Sequence, residues 1–389
     1  MSQLLAPAQT VVDGIPLWRR IRELMKEKGS RYSISAVAIR LGISRETLRL
    51  MLNGEREIYW FELERISEDL KLSVARILQE DQVELYEEIK ARKVSLLELD
   101  MALDVAKRRF NMAQGLSEKA YTWIDIGYFY FHKEEYTDAK LCYMAAGDLI
   151  EKIGFSEQEN ELMYAVQRRL VVINIFTKEI ATALKLLRSN ESLFMKTVIR
   201  QADYLHMNAR CQLRLSVLVE TRKYLLQTLE KLKGTGQEEW VGVVYSDLGY
   251  VEYLDLNYEK AHELMKLALQ HLRFDGRRLL VIKDLVKVQL RLNELQVAEA
   301  LIRKTLAGDR TNMSKEMEAR FLILLSRVKG VPFYAETVAG HSKYPTNVRF
   351  LAGRFLRIFY RRWFLRGRSK RVTGTYQLPQ RRFPYDKYL

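Results

Sequence analysis

The chain has 389 residues, 48% of them hydrophobic, with only 6 Pro and 19 Gly, which excludes disorder over most of its length and predicts more than one folded domain. Its two cysteines, Cys142 and Cys211, are too far apart for a disulfide framework or a paired-cysteine zinc site, so a reducing cytoplasm is the expected location. Net charge is +15, from 64 Lys+Arg against 49 Asp+Glu, and favours a polyanionic partner such as nucleic acid or an anionic membrane surface.

Residues 1–16 read as an N-terminal arm without the basic start and apolar core of a signal peptide, and no uninterrupted run of about 18 apolar residues occurs. The expectation is a chain neither secreted nor membrane-spanning. Helical periodicity opens at Leu17, puts Ile21, Leu24 and Met25 on one face, and stops at Gly29-Ser30. A short helix follows, capped by Ser33 or Ser35, with Val37, Ala38 and Leu41 facing inward. Gly42 tolerates positive φ at a tight turn, Ile43 plugs the core, and Ser44 caps a helix over 45–52 that ends at Asn53-Gly54. A small residue at the crossing (Ala38), Gly42 four residues on, and Leu48 and Met51 on the buried face are the spacing of a helix-turn-helix. Arg45, Glu46, Arg49 and Leu50 are left outward, and residues 17–57 carry ten basic and five acidic side chains.

The string ISAVAIRLGISRETLRLMLNG, followed by a helix over 60–70, resembles the DNA-binding domain of the phage repressor and Cro family, over roughly the first 75 residues. The resemblance implies a domain at 17–80 in which Ser44, Arg45, Glu46 and Arg49 form the base-reading start of the recognition helix. Arginine can pair with guanine O6 and N7, and Glu46 can accept from cytosine or orient Arg49. Arg40 and Asn53 are expected on phosphate.

Residues 82–110 read as two helices, the second with Leu96, Leu99, Leu103 and Ala106 in register, and 81–118 as a connector. Beyond it the chain repeats. Trp123, Ile126, Gly127, Tyr130, Ala139, Tyr143 and Ala146 fill the leading positions of the 34-residue tetratricopeptide pattern from residue 120, and a frame from Gly242 gives a second clear copy. Weaker copies start near Tyr164, His206 and Leu279, so about five helical pairs are expected over 119–330. The fold class that follows is all-α: a helix-turn-helix domain, then a right-handed tetratricopeptide-like superhelix.

Catalytic patterns are lacking. The histidines at 132, 206, 262, 271 and 341 show no ligand spacing, no glycine-rich phosphate loop follows a strand, and no strand-helix alternation supports a nucleotide fold. Acids such as Asp125, Glu134 and Glu135 read as solvated helix-surface residues. No enzyme activity, cofactor or metal is expected.

A helix-turn-helix head followed by tetratricopeptide repeats resembles the peptide-pheromone receptors of Gram-positive bacteria and their phages, arbitrium receptors included, over about residues 17–330. This implies a homodimeric transcription regulator that binds a double-stranded DNA operator and a short signalling peptide. In this repeat class the concave wall is lined by repeat positions 2, 5, 9 and 12 of each first helix. Counting from the frames above gives Tyr121, Ile124, Tyr128 and Phe131, then Arg168 and Val172, then Arg210 and Arg214 with Asn208 beside them. The fourth copy adds Ser246, Tyr250 and Tyr253, and the fifth Lys283 and Lys287. Aromatic rows beside a basic stripe without visible acid partners suit a peptide whose carboxylate supplies the missing charge. The competing reading is a non-enzymatic scaffold that docks a protein partner.

Residues 331–389 form a C-terminal helix and basic aromatic tail, a departure from that family. From 343 to 389 there are 13 basic residues and one acid, Asp386, and 347–366 interleave Phe350, Phe355, Phe359 and Trp363 with six arginines. A last repeat helix with a basic extension and an amphipathic helix on an anionic membrane both fit. Pro379 and Pro384 argue against helix in the final dozen residues.

Overall fold

The structure, a computed structural model, describes residues 4–95, 98–153, 157–273, 275–308 and 313–370. Leu96, Pro379 and Pro384 lie outside the described residues. Among those described, regular structure is helical apart from two isolated β-bridges, Leu5 with Tyr59 and Gln9 with Pro16. The chain divides into two compact units, Met1–Lys196 and Thr197–Leu389.

The first unit opens with a head of five helices: α1 (Leu17–Glu27), α2 (Ile34–Leu41), α3 (Arg45–Asn53), α4 (Trp60–Leu70) and α5 (Val74–Ile77). The apolar face of α1 packs on Val37, Ala38 and Leu41 of α2, Leu48 and Met51 of α3, and Leu63 and Ile66 of α4. Ser33 is the cap of α2, accepting from the Ala36 N–H at 3.4 Å, and Ser44 caps α3, accepting from the Thr47 N–H at 2.9 Å. Between them Gly42 adopts φ 64°, the left-handed geometry that ends α2 and redirects the chain into α3. The arm is tied down by its backbone: Ala6 N–H donates to Ile58 O and Trp60 N–H to Leu4 O, both at 2.9 Å.

Two connecting helices follow, α6 (Val83–Ser95) and α7 (Leu99–Met112), then the pairs α8 (Leu116–His132) with α9 (Tyr136–Ile153) and α10 (Glu157–Phe176) with α11 (Ile180–Ser189). A single turn, α12 (Glu191–Phe194), buries Phe194 against Tyr164 at 5.2 Å between ring centres.

The second unit holds α13 (Val198–Arg214) with α14 (Leu218–Leu232), α15 (Glu238–Leu254) with α16 (Tyr258–His271), α17 (Asp275–Arg291) with α18 (Leu295–Ala307), and α19 (Lys315–Lys329) with α20 (Phe333–Gly340). It closes with α21 (Thr346–Lys370). There are thus six pairs among the described residues, one more than the sequence pattern predicts. The additional pair was hidden because α20 has only 8 residues.

The third copy also needs a correction. The second helix of a pair begins three residues before a buried alanine: Tyr136 before Ala139, Ile180 before Ala183, Tyr258 before Ala261 and Leu295 before Ala298. Since α14 begins at Leu218, the equivalent residue is the buried Thr221, and the copy starts at Ala202, four residues earlier than its apolar pattern suggests. Threonine disguises the signature. Thr221 and Thr228 are buried in helix by donating their hydroxyls to Val217 O and Tyr224 O, each at 2.8 Å.

Close crossing explains the glycines. A Cβ on Gly249 would lie 2.8 Å from Met265 Cγ and 3.3 Å from Ala261 O, so α15 and α16 meet almost backbone to backbone. Gly249→Val is expected to destabilise the chain by about 1–3 kcal/mol through overpacking. Denaturant unfolding checks it, and an unchanged midpoint would refute the close contact.

Candidate functional site

The head presents α3 to solvent. Arg49 forks onto Glu46, with Nε–Oε2 at 2.9 Å and Nη2–Oε1 at 2.6 Å, and lies 3.6 Å from Glu55. That hydrogen bond holds the Glu46 carboxyl below its ordinary pKa and the Arg49 guanidinium above its own. Asn53 Nδ2 donates to Glu55 Oε1 at 2.8 Å. Arg40 forks onto Asp69, one arm at 2.9 Å, donates to Arg31 O at 3.0 Å, and lies over the Tyr32 ring. Ser44 commits its hydroxyl to the helix cap. Arg45 is exposed and makes no ion pair among the described residues, so it alone of the six predicted contacts has no internal partner of that kind to exchange.

Behind α3 the head is fused to the repeats by a buried ionic network absent from the sequence reading. Arg20 is fully buried, 2.9 Å from Glu118 of α8, and donates to the carbonyls of Ile77 and Gln114. Arg76 of α5 also grips Glu118 and reaches Asp81 at 2.8 Å. Glu23 accepts from the Ser117 N–H and hydroxyl at 2.9 and 2.7 Å. Arg109 of α7, fully buried, pairs with Asp13 of the arm at 2.5 Å and Asp125 of α8 at 2.9 Å, and donates to Gln82 at 3.2 Å. Asp125 is therefore no solvated surface acid. It is 6% exposed and held also by Lys93 at 2.5 Å.

The other flank of α8 carries two of the residues expected on the wall, Tyr128 and Phe131. Tyr128 donates its hydroxyl to Lys93 O at 3.1 Å, and Phe131 packs against Tyr136 and Phe176 at 5.6 and 5.7 Å. Both rings lie under the guanidinium of Arg169, 5.4 and 5.5 Å from it, a residue the sequence reading passed over for Arg168. Arg168 is half-buried with partners of its own.

In the second unit the corrected frame puts His206 and Arg210 at wall positions 5 and 9. Asn208 falls at position 7, between the helices of the pair: it is 7% exposed and donates to Tyr204 O at 2.9 Å, so it lies behind the wall. Arg214, at the exposed end of α13, lies past the wall positions. Tyr253 is a core residue, 5% exposed, while Tyr250 stays half-buried beside it. The basic stripe does have acid partners. Asp247 takes His206 Nε2 at 2.8 Å and Arg210 Nε at 3.7 Å, and Asp284 takes Lys283 at 3.3 Å and Lys287 at 2.9 Å.

Two protonation states follow. Trp240 Nε1, which can only donate, points at His206 Nδ1 from 3.1 Å, so Nδ1 accepts and the neutral ring donates from Nε2 to Asp247. Burial pushes the Asp247 carboxyl up, but His206 and Arg210 outweigh it and hold the group below its ordinary value. Burial of Lys287 pushes its ammonium down to about 8 despite Asp284.

Among the described residues no group of His, Cys, Asp and Glu could hold a metal ion, and no helix is long and apolar enough to cross a membrane.

Residues 20–79 match the Cro/C1-type helix-turn-helix DNA-binding domain. The chain thus carries an N-terminal domain of the Cro/C1 helix-turn-helix type followed by a tetratricopeptide-like repeat array. Among solved structures it is similar to NprR in complex with its cognate peptide NprX, at 16% identity over 82% of this chain and 90% of that one, TM-score 0.51. It is also similar to a signal transduction ATPase with a tetratricopeptide repeat sensor from Pyrococcus horikoshii, at 15% identity and TM-score 0.50. That match covers 92% of this chain but 54% of the other, so the chain spans about half that protein's length. Apo NprR from B. thuringiensis gives 16% identity over 84% and 98% of the two chains, TM-score 0.49. No curated protein sequence matches the chain.

Arg109→Met should cost about 3–5 kcal/mol, because it strands the buried carboxylates of Asp13 and Asp125. Chemical denaturation followed on the first unit checks it, and a loss under 1 kcal/mol would mean that water reaches the network. For Lys287 the folded pKa lies below the unfolded one, so its neutral form is favoured by folding and stability rises with pH between about 8 and 10.5. Lys287→Met should flatten that rise; an identical pH profile in the variant would refute it.

Proposed function

We propose that the chain is a sequence-specific transcription regulator whose DNA binding is set by a short peptide held on the repeat wall. The observation that carries this is the double role of α8. One side of the helix locks the head through Glu118 and Asp125, while Tyr128 and Phe131 on another side belong to the wall. The peptide in the NprR complex supports the ligand class, since that protein shares the fold.

On this reading the base contacts come from Arg45 and, after release from Glu46, Arg49. Arg40 and Asn53 take phosphate and Ser44 sets the start of the helix. One recognition helix spans too few base pairs for useful affinity, so the operator is read by a homodimer on inverted half-sites. The peptide contacts are Tyr128, Phe131 and Arg169 in the first unit, with Arg168 at its edge, and Arg210, Tyr250 and Lys283 in the second, with Arg214 beyond the end of the wall. Asn208, Tyr253 and Lys287 support the wall from behind it.

Arg45→Ala is expected to cost about 1–3 kcal/mol at the operator and to leave random-sequence DNA nearly unaffected. Fluorescence anisotropy on a fragment upstream of the protein's own gene, against random duplex, makes the comparison; equal losses on both would reduce Arg45 to a phosphate contact. Calorimetry with peptides of about five to ten residues tests the wall through Tyr128→Ala and Arg210→Ala. Unchanged peptide affinity in both variants would remove the wall from the site.

A further inference from the structure

The last helix carries a surface that neither DNA reading nor peptide binding uses. The core cluster at the end of the second unit takes Val348, Ala352, Leu351 and Phe355 from α21, and beyond Phe355 no described residue of α21 belongs to a core cluster. From 346 to 370 the sequence has eight basic residues and no acid, interleaved with Phe, Leu, Ile, Tyr and Trp. The face opposite the core is set by helical spacing: Phe350, Arg354, Arg357 and Arg361 stand at i, i+4, i+7 and i+11, with Tyr360 at its margin. Phe350 is 67% exposed, Tyr360 is 43% exposed, and Arg357 and Arg361 are exposed. Tyr360 is braced by a hydrogen bond from its hydroxyl to Glu336 of α20, which fixes its ring at the edge of the stripe.

We infer that α21 is an interfacial docking helix for an anionic lipid surface. Charge complementarity identifies the occupant: a helix face with several arginines and no acid of its own, bordered by the single carboxylate of Glu336, is net positive, so it attracts a polyanion and repels a second copy of itself. The exposed rings decide between polyanions. Duplex DNA offers phosphates to arginine but nothing to a large unstacked phenyl ring at the head of the stripe. The headgroup zone takes both, with arginines on phosphate and aromatic rings at the acyl boundary. The helix lies on the surface and does not cross it, since no described helix is long and apolar enough to span a bilayer.

The test is co-sedimentation of the full-length protein with vesicles of phosphatidylcholine alone and of phosphatidylcholine with 30% phosphatidylserine. Binding is expected only to the anionic vesicles and should weaken as salt is raised. Each arginine replaced by Gln among Arg354, Arg357 and Arg361 should weaken binding about fivefold. Phe350→Ser should weaken it further without changing the salt dependence, and circular dichroism confirms that each variant keeps its fold. Absence of binding to anionic vesicles, or equal binding to neutral ones, overturns the proposal. So does a result in which the arginine variants lower affinity for random duplex DNA and leave vesicle binding unchanged, or in which Phe350→Ser converts a dimer to a monomer.

Discussion

The ionic network around Glu118 and Arg109 governs how the head can act. Each buried guanidinium serves elements distant in sequence: Arg20 joins α1 to α8, Arg76 joins α5 to α8, and Arg109 joins the arm, α7 and α8. Such pairs add little net stability compared with apolar packing, because the Coulomb gain mainly offsets desolvation. Their effect is specificity of placement. A buried charge cannot slide or lose a partner without a penalty of several kcal/mol, so the head and α8 have one mutual arrangement and not a range. Within the first unit the head is therefore no hinged appendage, and a shift in α8 carries α3 with it.

The repeats solve a different problem, the close crossing of two helices in every pair. Gly127 meets Tyr143 and Gly249 meets Met265 at distances where any Cβ forces a neighbour to move. Ala209 holds the equivalent place in the third copy, fully buried, and the pair accommodates it. Small residues at these points bring the helices together, and the aromatic side chains then fill the spaces left at the ends. Phe131, Tyr136 and Phe176 form such a filling between the first and second pairs.

What the sequence revealed follows from which interactions are local. The caps at Ser33 and Ser44, the left-handed Gly42 and the apolar face of α1 depend on residues within one or two turns, and all were legible. Glycine and alanine signatures located the first, second, fourth and fifth copies. The third failed because threonine can imitate alanine once its hydroxyl turns back onto the helix, which apolar spacing does not register. The short α20 left too little periodicity to count as a pair. The ionic network was invisible for a related reason: Asp125, read in isolation on α8, looks like any surface acid, and its burial depends on Arg109 from another helix and on Lys93 from a third.

One regularity emerges only when the helices are superimposed on a common repeat frame. Position 6 of the first, second, fourth and fifth copies is Asp125, Arg169, Asp247 and Asp284, charged in each case. Three of these reach back to the first helix of the preceding element: Asp125 to Lys93, Arg169 to Tyr128 and Phe131, and Asp247 to His206 and Arg210. Position 6 thus lies in the seam between successive first helices and sets their spacing electrostatically, while the helices within a pair are spaced by glycine and alanine. A ligand carboxylate that took Arg210 would compete with Asp247, and a ligand ring that entered between Tyr128 and Arg169 would displace the guanidinium. In both cases the group the ligand must bind is the one that sets the distance between neighbouring helices, so differential affinity for two spacings would convert binding energy directly into a change of pitch within that unit.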